Sequence, residues 1–171
     1  MLSESQKNRF LEEGYLVVHY DTVTVTHQST TIRSPKARFD ENAGAISFSG
    51  GVSSLDSVRE FSARVMEYQL DENRAVARNA VVLKQADWHL EANYLLEDGK
   101  RKYLQASGQP ASFRQETRSI TADKLGYDEH AASLQASGQV VFRDKDRLLH
   151  ADHLTYRHNY EHLEVNGGLS L

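Results

Sequence analysis

The chain has 171 residues, of which 39% are hydrophobic and 26% are charged, and its formal net charge is −4 at pH 7. A chain of this length fits one domain with a sizeable buried core, and its apolar content excludes a disordered protein. The weak negative charge argues against a nucleic-acid partner, and the absence of cysteine excludes disulfides and cysteine nucleophiles.

The first segment with a regular pattern is Leu2–Glu13, which reads as a helix. Ser3 can cap its first turn, and Gly14 can end it. Its apolar residues are too few for a long core helix. We therefore expect residues 1–14 to form a short helical cap over one end of a β structure that occupies residues 15–171.

After this segment the sequence repeats with a period of about 29 residues. A small residue is followed five positions later by an aromatic one at Ala122 and Tyr127, and again at Ala151 and Tyr156. In one copy Glu97 replaces the aromatic residue, so that copy is degenerate. A second register with the same period consists of glycine or asparagine at Gly50, Asn79, Gly108, Gly138 and Gly167.

Each repeat contains two predicted strands. Strict alternation of apolar and polar residues over Leu134–Phe142 predicts a strand with one buried face. In the preceding strand the alternation changes phase at Asp123-Lys124, which predicts a bulge or a bend. The glycine or asparagine in the middle of each long strand points to the same feature. Such units, stacked with polar turns at each end, predict an all-β fold of two facing sheets, which could be a sandwich, a jelly roll or a solenoid.

Many inner positions of these strands carry small residues, among them Ala106, Ala122 and Ala136. Small side chains opposite one another leave room, so two sheets that do not fully interdigitate can accept a foreign apolar chain. Each buried methylene of such a chain contributes about 0.8 kcal/mol. The alternative is that the inner residues form an ordinary packed core.

Several motifs in the second half of the chain resemble one known family. The run Leu104–Gln115, with Gly108-Gln109-Pro110-Ala111 inside it, resembles the G-K-P-A-x-F segment of the LptA/OstA proteins of Gram-negative envelopes. Ile120–Leu125, Gly138-Gln139-Val140 and Ala151–Tyr156 follow in the order found in that family. The likeness covers residues 60–171, and the earlier residues share only the repeat pattern.

The resemblance implies a two-sheet, V-shaped β-jelly roll that transports lipopolysaccharide and is not an enzyme. Acyl chains would lie in a groove between the sheets, with no cofactor, and copies would join head to tail across the periplasm. Edge-strand addition would join the chain to other Lpt jelly-roll domains. The candidate groove residues are Phe48, Val52, Val81, Leu83, Leu104, Leu125, Leu134, Val140, Phe142, Leu154, Leu163 and Val165.

Three points stay open at this level. Met1–Glu4 is polar and shows no export signal, so a periplasmic location requires that a signal peptide has been removed. The extra N-terminal unit leaves LptA itself, LptC and the N-terminal domain of LptD as alternatives within the family. Outside it, the alternative is a structural β-solenoid that polymerises without lipid.

No metal site is expected, since His150 and His153 would point to opposite faces of a strand.

Overall fold

A computed structural model of the protein describes residues 8–12, 15–19, 23–27, 30–40, 42–55, 58–157 and 162–167. These ranges contain β-strands and no helix, and so no helix long and apolar enough to cross a membrane. The strands are β1 (Asn8–Glu12), β2 (Tyr15–His19), β3 (Val23–His27), β4 (Thr30–Ser34), β5 (Lys36–Asp40), β6 (Ala45–Leu55), β7 (Arg59–Gln69), β8 (Arg74–Gln85), β9 (Trp88–Asp98), β10 (Tyr103–Gln115), β11 (Arg118–Asp128), β12 (Ser133–Asp144), β13 (Arg147–Arg157) and β14 (His162–Asn166).

Strands β3 to β14 form one antiparallel sheet of 12 strands. Chain neighbours from β6 to β14 pair in sequence order, while β4 and β5 both pair with β6. The all-β prediction is therefore confirmed. The prediction of two separate sheets is wrong, because backbone hydrogen bonds between neighbouring strands join all 12 strands into one sheet. The two expected layers are instead the two halves of the same strands, which we call the arms.

A bend near the middle of each long strand separates the two arms. On β11 the register slips between Thr121 and Lys124, where the sequence predicted a bulge. On the neighbouring strand β12, Gly138 and Gln139 have the left-handed φ values of 76° and 48°. Strands β4 and β5 are the two halves of one such strand, interrupted at Pro35. The bend predicted from the phase change is confirmed.

The bend lets both arms turn the same face inward. On β12, Leu134 and Ala136 are buried in one arm, and Val140 and Phe142 are buried in the other. Arg143, the next residue along, is exposed. On β11 the slip in register shifts the alternation by one residue, so that strand also buries apolar residues on both sides of its bend. The sequence pattern and the bend together therefore produce one enclosed core.

The helix predicted over Leu2–Glu13 is wrong where the structure describes it. Asn8–Glu12 pairs with Tyr15–His19 as an antiparallel hairpin, and β2 lies beside β5. A helix of this length is marginal in water without packing partners. The following segment contains Val17 and Val18, which favour a strand and supply a pairing partner. Residues 2–7 and Glu13 of the predicted helix lie outside the described residues.

We expect the left-handed bend to require glycine at position 138. A side chain there costs about 1–2 kcal/mol, and its Cβ would also contact the Asp123 carboxylate. Gly138→Ala should therefore lower the free energy of unfolding by about 1–2 kcal/mol, as measured by urea denaturation. At the equivalent position Asn79 has φ 65°, so Asn79→Gly should not lower stability. Equal losses in the two variants would contradict this account.

Candidate functional site

The inner faces of the two arms meet in one apolar core. Ten of the twelve predicted groove residues are buried in this core, from Phe48 on β6 to Leu154 on β13. The other two, Leu163 and Val165 on β14, are partly buried and pack against it. The structure therefore brings all twelve to one continuous apolar surface. Contact of that surface with a ligand stays a prediction.

The core is closed in this conformation. Phe48 and Val140 are each 1% exposed, and the small Ala122 is 0% exposed. The room that small side chains were expected to leave is therefore not an open channel at these positions, because protein atoms cover them. A ligand could reach these side chains only after the protein atoms that cover them had moved.

One arm ends in a row of short turns, and the other arm ends in a row of longer turns. Side chains beside the two rows contact each other, and we call this line of contacts the seam. Within the described residues, strand pairing joins only neighbouring strands of the sheet, so side chains rather than a hydrogen-bonded ladder hold the seam together. Short turns form one side of the seam and longer turns the other. The short turns include residues 86–87, 116–117 and 145–146, and the longer turns span 70–73, 99–102 and 129–132.

Arg59, the first residue of β7, crosses the seam to two carboxylates. Its Nη1 lies 2.6 Å from Glu97 Oε1, and its Nη2 lies 2.7 Å from Glu129 Oε1. Its Nε donates a hydrogen bond to Gln85 Oε1 at 2.9 Å, on its own side of the seam. The three charged side chains are between 21% and 36% exposed, so water and salt screen them. Each pair therefore stabilises the closed seam by roughly 1 kcal/mol or less.

Two further contacts cross the seam. The ring centroids of Trp88, the first residue of β9, and Tyr127 lie 6.1 Å apart. Arg118, the first residue of β11, donates a hydrogen bond from Nη1 to the Tyr156 hydroxyl at 2.6 Å. On the inner side, Phe113 lies 5.7 Å from Trp88 between ring centroids. An aromatic pair contributes about 0.5–1.5 kcal/mol, and a hydrogen bond to a charged group about 1.5–3 kcal/mol.

The three contacts across the seam are one contact repeated along the sheet. Each joins the first residue of a strand to the next-to-last residue of the strand two places further on. The partners are 38, 39 and 38 residues apart, and successive pairs are displaced along the chain by 29 or 30 residues, which is the period of the repeat. The pairs are Arg59–Glu97, Trp88–Tyr127 and Arg118–Tyr156.

Sequence reasoning missed the seam. Glu97 was taken as a degenerate copy of the aromatic position, whereas the structure gives it a charged partner in Arg59. The available signal was the recurrence of a large side chain at the first position of alternate strands, at Arg59, Trp88, Arg118 and Arg147. That signal does not identify the partners, because the repeat alone does not show which ends of the strands meet.

Between the Arg59 and Arg118 contacts, the seam contains a cleft of about 160 Å³. This volume is below the roughly 300–1,000 Å³ of a drug-sized ligand pocket, so the cleft can hold only part of a long chain. Gln115 Nε2 donates a hydrogen bond to Asp87 Oδ2 at 2.6 Å within its lining. The rest of the lining consists of Trp88, Phe113, Tyr127, Ala132, Leu134 and Tyr156. Because Phe113 and Leu134 also belong to the core, the cleft adjoins it.

In the part of the chain that the structure describes, no group of three or more His, Asp or Glu side chains could hold a metal ion. His150 and His153 on β13 are exposed. The candidate site of the described residues consists of the apolar interior and the seam.

Comparison with protein families identifies the origin of this architecture. Residues 4–162 match the family described as "LptA/(LptD N-terminal domain) LPS transport protein". The chain belongs to this family. The resemblance read from the motifs is confirmed, and the LptA family consists of lipopolysaccharide transport proteins rather than enzymes. No curated protein sequence matches the chain.

Solved structures show the same LptA-like fold. One match is LptH of Pseudomonas aeruginosa, described as the LptA homologous periplasmic component of the conserved lipopolysaccharide transport device. The TM-score is 0.54 at 13% sequence identity, over 82% of this chain and 84% of that one. At this identity the likeness concerns the fold alone. In this LptA-family chain the Gly108–Ala111 motif lies at the bend of β10, where the register slips.

Two tyrosines on the long-turn side of this LptA-family sheet have raised pKa values. Burial raises the pKa of Tyr127, and the negative charge of Glu129 adds to the effect while Arg59 opposes it. Burial and the charge of Glu97 raise the pKa of Tyr68. Both phenols are therefore neutral at pH 7, and Tyr127 contacts Trp88 as an uncharged ring.

The raised pKa of Tyr127 predicts a loss of stability at alkaline pH. A pKa raised above the unfolded value of 10.0 gives stability that is present below that value and is lost as pH rises through the folded pKa. Urea unfolding should show stability falling above about pH 10. Tyr127→Phe should lose less stability over the same range, because it has no phenol to ionise. Identical alkaline losses in the two proteins would contradict the assignment.

Proposed function

We propose that this LptA-family chain is a periplasmic carrier that shelters the acyl chains of lipopolysaccharide between its two arms. The observation that supports the proposal is the continuous apolar core, which extends across the sheet from Val23 on β3 to Val165 on β14. Exposed charged residues such as Arg143 alternate with it on the outer face. An acyl chain of about ten methylenes gains about 8 kcal/mol when it is buried in such an interior.

In this proposal the arms part into a V and the groove residues exchange contacts with one another for contacts with acyl chains. That exchange is close to neutral, since one apolar neighbour replaces another. The main cost is opening the seam, whose side-chain contacts each contribute between a few tenths of a kcal/mol and about 3 kcal/mol. The sugars and phosphates of the lipid stay in water, because burying charged groups without partners is costly.

Head-to-tail assembly is the second part of the proposal. Among the described residues, strand β14 lies at one end of the 12-stranded sheet and β3 at the other. The outer side of an end strand presents backbone groups that a strand of another chain can pair with. A second copy of this chain, or a jelly-roll domain of the LptC or LptD type, presents edges of the same kind. Pairing of these edges would extend the apolar interior from one domain to the next.

Site-specific photo-crosslinking to lipopolysaccharide tests the carrier function. A probe at Phe142, which is buried, should form a lipid adduct, while a probe at the neighbouring exposed Arg143 should not. The two positions are adjacent on the same strand, so both probes meet the same local concentration of lipid. Adducts at neither site, with the fold intact by circular dichroism, would contradict the proposal and favour a structural β scaffold. Equal adducts at both sites would show nonspecific adsorption.

Sedimentation velocity tests the assembly. The chain should form a series of oligomers that lengthens with protein concentration, in the absence of lipid. Val165→Pro on β14 should shift the series towards the monomer, because proline removes a backbone donor and bends the edge. Val165→Thr, which keeps a β-branched side chain, should assemble normally. A wild-type chain that stays monomeric at all concentrations would contradict head-to-tail assembly.

A further inference from the structure

The seam is the weakest lateral boundary of the core among the described residues. Every boundary between neighbouring strands from β6 to β13 is a ladder of backbone hydrogen bonds along both arms. Opening one of these ladders would break many hydrogen bonds at once. The seam is crossed by the three repeated side-chain contacts and by the second carboxylate of Arg59. Parting the arms there leaves every strand pair intact.

The middle contact of the seam differs from the two that flank it. Trp88 and Tyr127 meet as rings, whereas Arg59 and Arg118 bind through charge or hydrogen bonds. The cleft, which is lined by apolar and aromatic side chains together with Asp87 and Gln115, lies at this middle contact and adjoins the core through Leu134. An acyl chain can replace one ring as the neighbour of the other at little cost. It cannot replace the carboxylates of the Arg59 contact.

We infer that the seam is a lateral gate, and that acyl chains enter and leave the core between Trp88 and Tyr127. This inference rests on the proposed carrier function and adds a route to it. The polar contacts of Arg59 and Arg118 stand on either side of the route and restrain how far the arms part. The competing route runs through the ends of the sheet, at β3 and β14, with the seam closed.

The exposure of the Arg59 contact suits a gate that opens and closes repeatedly. Arg59 is 21% exposed and its two partners 36% and 33% exposed, so water can solvate all three groups when they separate. A fully buried pair would leave uncompensated charges away from water on opening, which is strongly unfavourable. Glu97 replaces the aromatic residue of the other repeats. It therefore makes this contact an ion pair that can separate and form again.

A chemical link across the gate tests the inference. Because the chain has no cysteine, Trp88→Cys with Tyr127→Cys provides the only two thiols for a short bismaleimide linker. Lipid loading is read from the photo-crosslinking probe at Phe142, with purified lipopolysaccharide. The same protein without linker is the first control. The second is the linked pair Glu60→Cys and Lys84→Cys, which also form an ion pair, but on neighbouring strands and not across the seam.

We expect the link between positions 88 and 127 to slow loading at Phe142 by about tenfold or more, while the link between positions 60 and 84 leaves it unchanged. Equal loading with and without the gate link would overturn the inference and leave the carrier function standing, since lipid would then enter through the ends. Absence of lipid at Phe142 in the wild-type chain would instead overturn the carrier function, and the gate with it.

A single substitution gives an independent measurement. Arg59→Ala removes one restraint beside the gate and should speed loading at Phe142 several-fold, by up to about fivefold if the restraint contributes about 1 kcal/mol. Lys84→Ala removes the exposed Glu60 ion pair and should leave the loading rate unchanged. An unchanged rate in Arg59→Ala, with its fold intact, would show that the Arg59 contact does not restrain the gate.

Discussion

Burial of the core depends on the bend that recurs in the middle of every long strand. A strand without it would run straight, and its apolar face would lie in one open layer with nothing to cover it. The bend places the two halves of the same strand face to face, so a single hydrogen-bonded sheet encloses its own core. On β8 and β12 the bend contains left-handed backbone at Asn79 and Gly138. The repeat sets the bends in line from strand to strand, which keeps the two arms continuous.

A sheet that folds onto itself has one boundary that strand pairing does not close. In this chain that boundary is the seam, and the residues that close it occupy equivalent positions of successive repeats. The consequence is an unequal distribution of stability around the core. The boundaries between strands are closed by backbone hydrogen bonds along both arms, while the seam is closed by a few side-chain contacts of at most about 3 kcal/mol each. A closed core and a transport role are compatible for this reason.

The errors in the sequence-based account have definite physical causes. Leu2–Glu13 carries plausible helix signals, but Asn8–Glu12 pairs with the strand that follows it, and pairing between segments is not encoded in local propensity. Two sheets were expected because each repeat contains two strands, whereas in the structure each long strand itself divides into two apolar halves. Whether such halves belong to one ladder or two depends on where the backbone bends and how the hydrogen bonds continue through it. Glu97 looked like a lost aromatic residue because its partner Arg59 lies 38 residues away.

The sequence by itself determined the repeat, the alternation of buried and exposed residues, the position of the bend and membership of the LptA family. These features are local or periodic, so spacing along the chain records them, and all twelve candidate groove residues reached the inner surface for that reason. Only the tertiary structure decided that the core is closed, that one sheet forms both layers, and which side chains meet at the seam. Those properties depend on how far the strands curve and twist before their ends meet. That curvature is a sum over the whole sheet, and no single repeat specifies it.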